Sequence, residues 1–221
     1  MPDDHHVLEF KKAYSTANSI LVSSRIIDTF PFAPRKLISE KTDIKCRSYK
    51  KAVEYGLDIT AFGSESAIII VFHSKAIIFY DETKPRTHAR YSLLHEFGHD
   101  QLNHDFTDKR PEAYRKYEIE ANFFAAQLLM PEQILRELQR RGVTITNGFL
   151  HQRFGVSYEA ANKRLDTLAR NQAEWHSRSE REYDDLILLK YAAFIDSIKP
   201  KHSYYDFDYE DEMQNRRNSW Y

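Results

Sequence analysis

A single cysteine among 221 residues has no partner within the chain, so Cys46 in "DIKCRSY" excludes an internal disulfide and suits a reducing compartment. Its neighbours read as a strand, and the expectation for Cys46 is a small buried side chain. No apolar run approaches the roughly 20 residues of a membrane-spanning helix. Neither charge is in surplus. With 32 Lys and Arg against 33 Asp and Glu, the net charge of −1 offers no general attraction to nucleic acid or an anionic membrane. The opening "MPDDHHVLEFKK" lacks the basic flank and apolar centre of a secretory signal. Internal repeats and low-complexity linkers are also missing. These absences lead us to expect a cytoplasmic protein with no membrane partner, for which direct nucleic-acid binding is not expected.

What is present is a change of period partway along the chain. Val7, Phe10, Tyr14, Ala17 and Leu21 mark one face of an opening helix. "FPFAPRKLISEK" predicts a short proline-led helix, "IKCRSY" a strand, and "SYKKAVEYG" a helix closed by Gly56. "LDITAF", "SAIIIVF" and "KAIIFY" predict three further strands of a small, mostly antiparallel sheet. After "DETKPRTH" the pattern turns helical, over 89–104, 112–129 and 131–141. "TNGFLHQRFGVSYEAANKRLDTLAR" predicts helix, turn and helix, and "EREYDDLILLKYAAFIDSI" a last helix ending near Pro200. The class is therefore α+β, with three parts: a sheet-and-helix domain at 1–141, a helical subdomain packed on it at 142–200, and an acidic, aromatic tail at 201–221. The tail, which holds Tyr204, Tyr205, Phe207 and Tyr209, has no periodicity and is expected to be mobile.

The helical stretch at 89–104 contains His95-Glu96-Phe97-Gly98-His99, an HExxH motif. Two histidines four apart on a helix share a face and can bind one cation, while the glutamate between them can take a proton from an attacking water. Leu93, Leu94, Phe97 and Leu102 supply apolar cover, and Gly98 leaves room for another element to approach. A catalytic zinc site needs a third protein ligand. The metzincin pattern would place a glycine and a histidine where this chain has Leu102 and Asp105, so a ligand from further along the same helix is not expected. His104 reads as a residue at the rim, or bonded to a ligand, rather than as a ligand itself.

The following helix, "YRKYEIEANFFAAQLLMPEQ", carries two candidate carboxylates. Glu118, Asn122, Ala125 and Leu129 form one stripe, with the glutamate and asparagine spaced as in the ExxxN pair of gluzincins, where one group ligates and the other supports. Glu120 lies about 160° away around the helix and reads as a solvated first-turn residue favouring the helix dipole. The stripe favours Glu118 and leaves the choice between the two open.

"LLHEFGH" followed by "EIEANFFAAQLLMP" resembles the ImmA/IrrE family of metallopeptidases, with a weaker likeness extending over residues 25–170. Phe97 stands where leucine is usual, a conservative departure. The resemblance implies one Zn²⁺ per chain, held by His95, His99 and Glu118, with Glu96 as the general base. It also implies an endopeptidase whose protein substrate is a helix-turn-helix (Xre-type) repressor, so that cleavage relieves repression of mobile-element or stress-response genes.

Two other readings use the same residues differently. A non-proteolytic anti-repressor would bind metal and sequester its partner. A DNA-binding regulator would use 148–166 as a helix-turn-helix, with Lys163 and Arg164 on the second helix. Arg90 precedes the motif and reads as a structural or surface arginine rather than a support for the oxyanion.

Overall fold

The computed structural model describes residues 4–63, 65–72, 75–105, 110–170 and 178–199. The proposed tail at 201–221 lies outside them. Helix α1 spans Asp4–Ser23 and α2 spans Pro34–Lys41, its proline at a position whose missing N–H costs the helix nothing. Strand β1, Lys45–Ser48, runs into α3, Tyr49–Glu54, where the Ser48 side chain caps the helix by accepting from the Lys51 amide.

"LDITAF" does not form the expected strand. Ile59–Phe62 is a single 3-10 turn, because Asp58 accepts from both the Thr60 amide (2.9 Å) and the Thr60 hydroxyl (2.6 Å). An aspartate two residues ahead of a threonine offers the backbone a local partner that competes with a sheet ladder. Leu57, Ile59 and Phe62 still bury apolar surface, packing with Ala52, Ile77 and Phe79 in a small cluster of their own.

Strands β2 (Ala67–Phe72) and β3 (Lys75–Tyr80) form an antiparallel ladder from Ala67 opposite Tyr80 to Phe72 opposite Lys75. β1 joins β3 in parallel, so the three-stranded sheet is mixed, with order β1-β3-β2 and β2 at an edge. Cys46 on β1 is 4% exposed, and burial pushes its thiol up to about 11.

Helices follow from there: α4 Arg86–Gln101, α5 Pro111–Leu129, α6 Glu132–Arg140, α7 Asn147–Phe154, α8 Tyr158–Arg170, α9 Arg178–Lys190 and α10 Ala192–Asp196. The last two were expected as one helix. They part at Tyr191, whose ring is fully buried and whose hydroxyl donates to the Leu21 carbonyl (2.9 Å). Beside it the Lys190 ammonium donates to the carbonyls of Leu21 and Ser24 at the end of α1, where a cation suits the helix dipole.

One main core runs from Ala13 on α1 to Ile198 and includes Leu93, Leu94 and Phe97 of α4 and Phe123, Phe124 and Leu128 of α5. The helices after residue 142 contribute Leu150, Phe154, Ala161, Leu168 and Ile187 to that same core. Among the described residues, no helix is long and apolar enough to cross a membrane.

Candidate metal centre

The site is built where α4 crosses α5. A Cβ on Gly98 would lie 2.9 Å from the Phe124 ring, closer than real contacts allow, and 3.3 Å from the Ala121 Cα, tighter than most. The missing side chain is what lets the two helices approach to this distance, with the small Ala121 facing it from α5. Gly98→Ala is therefore expected to destabilise the protein, since overpacking costs about 1–3 kcal/mol against the roughly 1 kcal/mol that alanine gains in helix propensity. Thermal unfolding checks this. The midpoint should fall by several degrees, with metal occupancy falling alongside as α5 is pushed off, whereas a raised midpoint would show that the space is there.

At this crossing three donor groups converge. His95 Nε2 and His99 Nε2 are 3.1 Å apart on one face of α4. Glu118 on α5 places Oε2 3.2 Å from His95 Nε2 and Oε1 3.3 Å from His99 Nε2. An ion bound tetrahedrally with bonds of about 2.0–2.1 Å has edges of roughly 3.3–3.4 Å, so the spacing fits one small divalent cation. Among the described residues these three form the group able to hold a metal ion. Hydrogen bonding with His95, then with His99, holds the Glu118 carboxyl far below the usual range, so it is anionic and ready to ligate. Asn122, one turn on, reaches the His95 side chain, donates to the Glu118 carbonyl (2.8 Å) and accepts from the Tyr91 hydroxyl of α4.

Glu96 stands beside this cluster and outside it. Its carboxylate is buried, and Oε2 accepts from the Ile69 amide of edge strand β2 at 2.9 Å. Burial pushes its pKa up to about 7, although that amide and the His95 charge pull the other way. A carboxyl group poised near neutrality can both accept and return a proton.

Glu120 departs from expectation. Helix α5 starts at Pro111, so neither glutamate lies in its first turn, and Glu120 is 6% exposed rather than solvated. It accepts from His104 Nε2 at 2.9 Å, and His104 Nδ1 lies 2.9 Å from His99 Nδ1. Asn103 makes this possible. Its φ of 54° is left-handed, and the amides of Asn103 and His104 bond back to the carbonyls of Asp100 and His99. That is a Schellman stop, with asparagine in the place usually held by glycine. The turn folds His104 back against His99, where it stacks on Tyr117 of α5 (centroids 4.4 Å apart). Burial, with the His99 charge adding, pushes the His104 ring down to about 4, so it is neutral. His104 thus touches a candidate ligand without belonging to the three-donor cluster.

The remaining candidates have structural places. Arg90 is 6% exposed and donates to the carbonyls of Phe32 and Phe154, tying α4 to the loop before α2 and to the end of α7. That α7 end turns at Gly155 (φ 65°), packed on Pro31 where a Cβ would crowd it at 3.0 Å. Arg164, a DNA-contact candidate of the alternative reading, is 1% exposed and donates to Met130 O (3.0 Å) and Gln127 Oε1. Lys163 is exposed and pairs with Glu159 at 2.7 Å on its own helix.

Comparison with curated proteins returns no match for this chain. A family model does match. The IrrE N-terminal-like domain, peptidase family M78, aligns with residues 54–166, from the end of α3 through β2, β3, α4 and α5 into α8. The match spans just over half of the sequence and contains His95, Glu96, His99 and Glu118, and its family supports a metallopeptidase-type function. The chain belongs to the IrrE N-terminal-like (peptidase M78) family.

Proposed function

We propose that the protein is a zinc-dependent endopeptidase of the cytoplasm that cuts a helix-turn-helix (Xre-type) repressor and so relieves repression of mobile-element or stress-response genes. The observation that supports it most is the convergence of two imidazoles and a carboxylate at tetrahedral spacing, with a buried carboxyl of raised pKa alongside. His95, His99 and Glu118 would hold one Zn²⁺ per chain. A bound divalent ion supplies the Lewis acidity that activates water and polarises the scissile carbonyl. The Glu96 carboxylate accepts the proton of the attacking water and passes it to the departing amine. Ile69 holds that carboxylate in place through its amide. Strand β2 lies at the sheet edge against α4, so an extended substrate segment can add to it as a further strand beside the donors.

A non-proteolytic anti-repressor needs the same surface without the proton transfer, and nothing in the site favours it. The DNA-binding reading loses Arg164 to the core. The test is cleavage of a purified helix-turn-helix repressor, followed on a gel with and without chelator. Cleavage that stops on chelation and returns with Zn²⁺ is the expected result. Binding of the repressor without any cut, even with Zn²⁺ present, supports sequestration instead.

A further inference from the structure

Two ionisable side chains outside the donor set, His104 and Glu120, are 8% and 6% exposed. Burying a carboxylate is costly unless it is hydrogen-bonded, so their arrangement calls for a reason. They lie in line: Glu120 Oε2 is 2.9 Å from His104 Nε2, and His104 Nδ1 is 2.9 Å from His99 Nδ1. The order of the atoms decides the order of the protons. His99 turns Nε2 toward His95 and Glu118, so as a ligand it must carry its proton on Nδ1 and donate it. His104 Nδ1 can then only accept, which puts the His104 proton on Nε2, where a carboxylate receives it. Each atom in the line has the one role open to it, and the Tyr117 ring stacked on His104 at 4.4 Å holds that ring's plane.

We propose that Glu120, acting through His104, is a positioning device for the metal site. The pair fixes His99 in the tautomer and ring orientation that aim Nε2 at the ion. The proposal rests on the metal reading of His95, His99 and Glu118. It assigns α5 two carboxylates with separate tasks: Glu118 in the donor cluster and Glu120 behind a histidine. The left-handed turn at Asn103 is the local device that brings the intermediate histidine into line.

The test is zinc affinity, measured by competition with a chromophoric chelator, together with the visible spectrum of the Co²⁺-substituted protein. His104→Leu removes both the acceptor and the donor at this position. It should weaken zinc binding by about 10- to 100-fold and shift the Co²⁺ bands, as losing a ligand's hydrogen-bond partner typically does. His104→Gln offers an amide oxygen to His99 and an amide N–H to Glu120, and should recover most of the affinity and the wild-type spectrum. Thermal unfolding of the metal-free proteins reads the fold separately. If His104→Leu fails to fold, Glu120→Gln, a near-isosteric change, carries the test and should lower affinity in the same direction. Equal affinity in wild type and His104→Leu overturns the proposal alone, as does a His104→Gln variant no better than His104→Leu. Wild-type protein that takes up no zinc overturns the metal reading and this proposal with it.

Discussion

Glu96→Gln is expected to keep a full complement of zinc while losing about 10²- to 10⁴-fold of the cleavage rate, the usual cost of removing a general base. The structure separates the two properties. The three convergent donor atoms belong to His95, His99 and Glu118, and the Glu96 carboxylate is not among them. What Glu96 does bond is the Ile69 amide, and a glutamine oxygen can accept from that N–H just as well. The substitution is nearly isosteric, so the burial around it is preserved. What disappears is the ability to take up a proton. Zinc content by elemental analysis and single-turnover cleavage of the repressor, measured on the same preparation, give both halves of the result. A Glu96→Gln variant that relieves repression in cells as fully as wild type would mean that the partner is held rather than cut.

The helical half of the fold was readable because its apolar residues recur every three to four positions and leave little freedom. The stretches 112–129 and 131–141 became α5 and α6 within a residue or so. The metal motif was readable for the same reason, since HExxH on a helix places both imidazoles on one face. Glu118 could be favoured over Glu120 from helix geometry alone. The errors arose where a local side chain or a distant contact overrode the pattern. "LDITAF" has strand-like composition, but Asp58 caps it into a turn. Glu120 looked solvated because its partner lies sixteen residues earlier in the chain, across a left-handed turn. Asn103 was the available signal, a residue that tolerates such a turn at the expected end of a helix. Only the DNA-binding alternative treated Arg164 as a surface cation within a helix-turn-helix. Its burial depends on the Met130 carbonyl and Gln127, contacts that no spacing rule reveals.

The second large effect is expected at Glu118. Glu118→Gln replaces an anionic ligand by a neutral amide, which ligates zinc poorly, while leaving the size of the side chain almost unchanged. Two histidines alone cannot hold the ion at low free zinc, so occupancy and cleavage should fall together, as they should for His99→Ala. Glu120→Gln should do less, because Glu120 contacts His104 and not the donor atoms of His95 or Glu118. The account's central claim is that α4 and α5 together form one metal site. The measurement that tests it most directly is zinc per chain, by elemental analysis after dialysis against low free zinc, for wild type, Glu118→Gln and Glu120→Gln. One zinc per chain in wild type, little in Glu118→Gln, and a value between them in Glu120→Gln is the expected result. Zinc retained by Glu118→Gln and lost from Glu120→Gln, or none bound by wild type, would contradict it.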